Sequence, residues 1–201
     1  MSLKVLQAIN VCFSRIYHRV DLRAPLALPR RGNAIIVCNH TSGLDPLLIQ
    51  SVSRRLIVWM MARDYYDQKW LLPFFHLIEA IPVNRGKPDS ASTRAALRAL
   101  AGGHVLGVFP EGRIETSREL LPFHTGIALL AMRSGAPVYP AYLDGTQRGK
   151  EMAPAFAFSN HAILRFASPF TIPHKTGRSE LIVGTQRIES AVRELSRQAS
   201  R

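Results

Sequence analysis

A histidine and an aspartate stand with four residues between them in the stretch Cys38-Asn39-His40-Thr41-Ser42-Gly43-Leu44-Asp45-Pro46, directly after the apolar run Ala34-Ile35-Ile36-Val37. Histidine is the side chain best matched to taking a proton near neutral pH, and a carboxylate on its far ring nitrogen fixes the tautomer and stabilises the charged ring. His40 and Asp45 together have the chemistry to activate a hydroxyl. Asp45-Pro46 followed by Leu47-Leu48-Ile49 is also how many helices start, with Asp at the N-cap and Pro in the first turn. A carboxylate offers about four acceptor sites, enough for a backbone N–H and an imidazole at once, so both roles stay open.

Two further groups place charge just past an apolar run. In Val108-Phe109-Pro110-Glu111-Gly112-Arg113-Ile114 the glycine permits a sharp turn and a close approach of backbone to ligand, and Arg113 offers a planar fork of donors matched to phosphate oxygens. Glu111 has the means to position that arginine or to accept a substrate hydroxyl; the alternative is a strand-end turn with a solvated ion pair worth little. In Ala80-Ile81-Pro82-Val83-Asn84-Arg85-Gly86, Arg85 either converges with Arg113 on one phosphate or stands as a solvated charge. The prolines of Ala136-Pro137-Val138-Tyr139-Pro140-Ala141 suit an edge strand or a pocket wall.

These groups need a scaffold, and the hydrophobic periodicity supplies one. Strands are expected at 33–38, 56–61, 80–83, 105–109, 138–143 and 162–167. Helices are expected at 46–53, at 90–101 before Gly102-Gly103, at 126–133, and at the end of the chain through Ile188, Val192 and Leu195. Repeated strand-then-helix order predicts an α/β fold with a largely parallel mixed central sheet flanked by helices, in which ligands bind beyond the carboxyl ends of strands. Leu3, Leu6, Ile9, Phe13, Ile16, Tyr17 and Val20 recur at helical spacing with Lys4, Arg15 and Arg19 between them, predicting an N-terminal amphipathic helix. Its stripe either packs on the protein's own core or enters a lipid interface. The segment 70–78 either lines an acyl groove or packs in the core.

The 201 residues, 47% apolar and 20% charged, fit one globular domain over 1–201. It divides into an N-terminal segment 1–28, a core with the motifs over 33–146 and a C-terminal strand and helix over 150–201. The 26 basic and 14 acidic residues give a net charge of +12, which calls for an anionic partner: nucleic acid, a membrane surface or a phosphorylated substrate. Scattered arginines and the lack of any nucleic-acid-binding signature argue against nucleic acid. Two cysteines, Cys12 and Cys38, suggest neither a disulfide framework nor a thiolate metal site, and the remaining histidines show no metal-ligand spacing, so no metal and no bound cofactor are expected. No apolar stretch is long enough to span a bilayer and no cleavage site follows the first helix, so contact with a membrane is expected to be peripheral, from the cytoplasmic side.

Taken in order, the motifs resemble the glycerolipid acyltransferase family, whose members move a fatty acyl chain from a thioester to a hydroxyl of a lysophospholipid or glycerol phosphate. The matching residues are Asn39, His40, Asp45 and Pro46; Ile81, Pro82, Val83 and Arg85; Phe109, Pro110, Glu111 and Gly112; and Val138 and Pro140. The resemblance implies an O-acyltransferase with His40 as general base, Asp45 as its orienter, and Arg85, Glu111, Gly112 and Arg113 on the acceptor. The donor would be acyl-CoA or acyl carrier protein, and the acceptor 1-acylglycerol-3-phosphate or another lysophospholipid, met at an anionic membrane surface. Arg113 directly follows Gly112, where many phosphatidic-acid-forming members carry Glu-Gly-Thr-Arg, and His124-Thr125 replace a pair that is commonly basic. Backbone N–H groups at a helix N-terminus or in the turn from Asn39 to Gly43 are candidates for oxyanion donors, a role the sequence leaves unassigned.

Overall fold

The computed structural model describes residues 3–69, 71–84, 89–117, 119–174 and 177–199. Its strands, in chain order, are β1 (Asp21–Leu22), β2 (Ala34–Cys38), β3 (Ile57–Ala62), β4 (Ile81–Val83), β5 (Val105–Val108), β6 (Val138–Asp144) and β7 (Ile163–Phe166). The helices are α1 (Leu3–Cys12), α2 (Asp45–Val52), α3 (Arg63–Tyr66), α4 (Leu72–Leu77), α5 (Ser90–Ala101), α6 (Gly126–Ser134), α7 (Met152–Ala157) and α8 (Arg178–Ala199). Among the described residues the strands form one sheet in the order β1-β7-β6-β2-β5-β3-β4. Every pairing is parallel except that of β6 with β7. The expected α/β fold with its largely parallel mixed sheet is therefore present.

β2 lies at the centre and every one of its residues is buried, as an unbroken apolar strand must be when helices cover both faces. Alternation along it feeds two cores. Ile35 and Val37 join Val58, Leu106 and Val108 beneath Ala96, Leu100, Ile127, Leu130, Ile188 and Val192, contributed by α5, α6 and α8. Ala34, Ile36 and Cys38 join Trp59, Val105 and Ala141 beneath Leu48, Ile49 and Ala155, contributed by α2 and α7. Asp89 starts α5 as its N-cap, accepting the N–H groups of Ala91 and Ser92, and these backbone donors hold its carboxyl below the usual carboxylate range.

Pro140 does not mark an edge. β6 runs between β2 and β7, so the expectation of an edge strand is corrected. The Pro140 carbonyl accepts the Ala167 N–H at 2.9 Å, which puts the missing donor on the β7 side, at the end of that ladder. No β2–β6 hydrogen bond is lost.

The N-terminal helix is amphipathic in an unusual sense, with its polar stripe turned inward. Gln7 Nε2 donates to the carbonyls of Gln50 at 2.9 Å and Ser53 at 3.1 Å, and Asn10 Nδ2 donates to the Leu47 carbonyl at 2.9 Å. These are carbonyls of α2 itself and of Ser53, the residue after it; the Gln50 carbonyl also accepts the Ser53 N–H at 3.1 Å. Leu3, Val5 and Ile9 face outward, followed by Ile16 at 77% exposure. After Cys12 the helix continues as a π turn over Phe13–Tyr17, ending on buried His18, whose pKa is lowered chiefly by that burial.

Gly107 in β5 is the tightest contact behind the central strands. A Cβ built there would lie 2.4 Å from the Trp59 indole, against the middle of the ring system, so the indole would have to shift. Gly107→Ala is expected to lower stability by about 1–3 kcal/mol, typical of overpacking, with a changed Trp emission. Urea unfolding followed by fluorescence measures both, and an unaltered midpoint would contradict this packing.

Candidate active site

β2 ends at Cys38 and α2 begins at Asp45, so the loop carrying His40 leaves the carboxyl end of the central strand, where parallel sheets place ligands. Asn39 anchors its start. Its side-chain amide donates to the Leu143 carbonyl at 2.9 Å and its side-chain oxygen accepts the Leu143 N–H at 2.8 Å, tying the loop to β6.

Asp45 closes the loop and is wholly buried. Its Oδ2 accepts from His40 Nδ1 at 2.9 Å, from the Thr41 N–H at 2.6 Å and from the Ser42 N–H at 2.9 Å. The Thr41 hydroxyl lies 3.4 Å from both carboxylate oxygens and 2.6 Å from the Thr146 hydroxyl. The carboxylate points back into the loop and caps no N–H of its own helix. Of the two roles open in the sequence, the geometry selects the orienter.

His40 is held on two sides. A carboxylate only accepts, so Nδ1 carries the proton and Nε2 presents its lone pair. The ring stacks on Phe109 at 4.1 Å and 14°, and Phe109 stacks on Trp59 at 4.9 Å and 9°. The His40 side chain keeps 14% of its surface exposed while Asp45 has none, leaving the imidazole reachable from outside and its partner shielded.

Glu111 and Glu115 pin the backbone of the same residue. Glu111 Oε1 accepts the His40 N–H at 3.1 Å and Oε2 accepts the Leu121 N–H at 3.4 Å, while the Glu115 N–H donates to the His40 carbonyl at 2.7 Å. Glu111 is 4% exposed. Burial pushes its pKa up to about 7, with the two N–H donors opposing and the Glu115 and Asp45 carboxylates adding to the rise. The buried Glu115 carboxylate is balanced by Arg148, which also approaches Asp144 at 3.5 Å.

The turn that follows is open. Gly112 has φ +70°, and a Cβ there would lie 3.0 Å from His124 Nε2, so the position is closed to larger residues by both strain and space. Arg113 is exposed beside it. The structure thus brings His40, Asp45, Glu111 and Gly112 together, with Arg113 next in the turn. Arg85 lies outside the described residues, as does Trp70 of the segment 70–78.

Of the oxyanion candidates, those from His40 to Gly43 are already engaged. The N–H groups of His40, Thr41, Ser42 and Gly43 are all committed, to Glu111, to Asp45 twice and to the Lys150 carbonyl at 2.9 Å. Thr41, Thr146, the Arg148–Glu115 pair and His124 join the site only in the folded chain. The partners of Thr41 and Glu115 lie 105 and 33 residues away, and no local spacing signals such contacts.

The sequence pattern of the acyltransferase family matches residues 19–144, which include His40, Asp45, Glu111 and Gly112. The chain belongs to the acyltransferase family. A Bacillus subtilis relative named 1-acyl-sn-glycerol-3-phosphate acyltransferase is 29% identical over 126 residues, covering 62% of this chain and 62% of the relative. The Escherichia coli protein of the same name is 26% identical over 136 residues, 64% of this chain and 54% of the relative. The chain thus spans between half and two thirds of the length of these relatives. The crystal structure of the 1-acyl-sn-glycerophosphate (LPA) acyltransferase PlsC from Thermotoga maritima superposes with a TM-score of 0.73 at 19% identity, over 98% of this chain and 79% of that one. The two share a fold.

The Glu111 titration gives this acyltransferase-family protein a pH signature. An unfolded glutamate loses its proton near 4.5, the folded one near 7, so its contribution to stability is complete below pH 4.5 and is lost as pH rises through 7. Glu111→Gln keeps an acceptor oxygen and removes the titration. Relative to that variant, the wild type should lose up to about 3 kcal/mol across this window, measured by urea unfolding at stepped pH; parallel curves would contradict it.

Proposed function

We propose that the protein transfers a fatty acyl chain from an acyl thioester, acyl-CoA or acyl carrier protein, to the hydroxyl of a lysophospholipid, with 1-acylglycerol-3-phosphate as acceptor and phosphatidic acid as product. The observation that carries this reading is His40, fixed at Nδ1 by a buried carboxylate and on one face by Phe109, with Nε2 left to accept. Relatives of the same family are named for this reaction.

The acceptor supplies the nucleophile. As its hydroxyl oxygen attacks the thioester carbonyl carbon, the proton passes to Nε2, and Asp45 stabilises the imidazolium. When the tetrahedral intermediate collapses, the C–S bond breaks and the departing thiolate takes the proton back from Nε2. The reaction balances without a covalent acyl-enzyme, a metal or a bound cofactor. Arg113, with Arg85, binds the acceptor phosphate, Gly112 lets it approach the backbone, and Glu111 holds the loop beneath it. A lysophospholipid other than 1-acylglycerol-3-phosphate is the second reading, favoured by Arg113 directly following Gly112.

The acceptor is a lipid, and the outward apolar stripe of α1 supports peripheral binding to an anionic membrane surface. Ile9 and Ile16 enter the interface while Arg15 and Arg19, both exposed, meet headgroups at roughly 1 kcal/mol each. Among the described residues no helix is long and apolar enough to cross a bilayer.

Labelled acyl-CoA or acyl carrier protein, offered with a panel of lysophospholipids, tests the chemistry. His40→Ala should lower turnover about 10²–10⁴-fold, and Arg113→Ala should raise KM for a phosphorylated acceptor more than it lowers kcat. Undiminished turnover by His40→Ala would refute the base. In vesicle flotation, Ile9→Ser/Ile16→Ser should weaken salt-sensitive binding to anionic vesicles; unchanged flotation would place the docking surface elsewhere.

A further inference from the structure

Two large rings outside the N-terminal helix stand in solvent without an assigned role. Phe156, in α7, is 41% exposed and Phe158, just beyond it, 57%. The Phe156 ring lies 5.1 Å from that of Phe13, and the Tyr17 hydroxyl donates to the Ala157 carbonyl at 2.9 Å. Residues 156–158 therefore abut the end of the N-terminal segment, beside the exposed Ile16 and Tyr17. Lys150 Nζ sits 4.0 Å above the Phe158 ring, Arg15 and Arg19 are exposed, and Arg19 Nε donates to the Asn160 carbonyl at 3.4 Å.

The same segment reaches the catalytic loop at its other end. The Gly149 N–H donates to the Thr41 carbonyl at 2.8 Å and the Lys150 carbonyl accepts the Gly43 N–H at 2.9 Å. Gly43 is so close to the following backbone that a Cβ on it would lie 2.3 Å from the Met152 nitrogen. Eight residues lie between Gly149, which bonds to the Thr41 carbonyl, and the exposed Phe158.

We propose that residues 150–158 are a second membrane anchor: Phe156 and Phe158 enter the interfacial layer of an anionic bilayer, Lys150 remains at headgroup level, and the mouth of the His40 site is thereby set at the lipid surface. The proposal deepens the membrane reading above and rests on it. Aromatic rings capped by a cation and rimmed by arginines, in a chain of net charge +12, match the apolar-below, anionic-above profile of such a bilayer. A protein partner with a purely apolar face would leave Lys150 without a counter-charge. Contact with lipid also shortens the path of a lysophospholipid from the bilayer to His40 Nε2.

The test uses the full chain and vesicles of phosphatidylglycerol and phosphatidylcholine. Phe158→Ser should weaken vesicle partitioning about tenfold, the loss expected for a partly inserted phenyl ring, with an unchanged melting temperature because the residue is 57% exposed. Phe158→Trp should be quenched by dibrominated lipid tails more strongly than the wild type, which already carries Trp59 and Trp70. Turnover of vesicle-borne acceptor should fall in Phe158→Ser, while turnover of a monodisperse short-chain acceptor is kept. Wild-type partitioning and wild-type quenching in these variants would overturn the proposal. If Ile9→Ser/Ile16→Ser alone abolishes partitioning, the anchor is confined to α1: the second anchor falls and the membrane reading stands. A wild type that ignores vesicles defeats both, and a concentration-dependent dimer lost in Phe158→Ser would assign the surface to a second copy of the chain. Because partitioning is read apart from turnover, an inactive wild type would refute the acyl-transfer reading without deciding this one.

Discussion

The site is organised around one carboxylate removed from water. Burying an ionised carboxylate is costly unless hydrogen-bond donors replace its hydration, and Asp45 recovers that loss from His40 Nδ1 and two consecutive backbone N–H groups. Those donors are available only if residues 40–45 curl back on themselves. The curl in turn directs the His40 ring onto Phe109, leaves Nε2 outward, and places the first turn of α2 directly under the loop. One interaction thus sets the loop conformation, the tautomer of the base and the direction of the following helix.

Around that carboxylate the fold adds restraints from elements distant in the chain. Glu111 and Glu115 fix the N–H and the carbonyl of His40, Thr146 reaches the Thr41 hydroxyl, and the residues after β6 bond to Thr41 and Gly43. Such restraints hold the His40 imidazole in one place, which is what the proposed role of general base requires. α1 takes part from behind, with Gln7 and Asn10 donating to the Leu47 and Gln50 carbonyls of α2 and to that of Ser53. Polar side chains hold that helix, so its apolar residues are free to face outward.

Much of this was readable before any coordinates. β2 and β5 announce themselves as apolar runs, and α5 starts at Asp89 and stops at Gly102 because a side-chain cap and a glycine pair are local signals. His40 and Asp45 were nameable because a loop between a strand and a helix keeps them close in sequence. The choice between cap and orienter for Asp45 was not readable, since it depends on which way one side chain turns. Glu111 as a brace of the His40 backbone, the link from Thr41 to Thr146 and the Arg148–Glu115 pair needed the third dimension. Periodicity located the apolar stripe of α1, but the side it faces is set by the hydrogen bonds of Gln7 and Asn10 to carbonyls of α2 and Ser53, which no pattern within residues 3–20 encodes. Pro140 misled because only the register of β6 shows that its missing donor falls where the β7 ladder ends.

The central claim is that Asp45 fixes His40 with its proton on Nδ1 and a bare Nε2. Nitrogen-15 NMR of imidazole-labelled protein reads this directly, through the distinct shifts of protonated and unprotonated ring nitrogens above the pH at which the ring is neutral. A single tautomer is expected for His40, protonated at Nδ1, which becomes mixed in Asp45→Asn. A wild-type ring that carries its proton on Nε2, or averages between the two nitrogens, would contradict it.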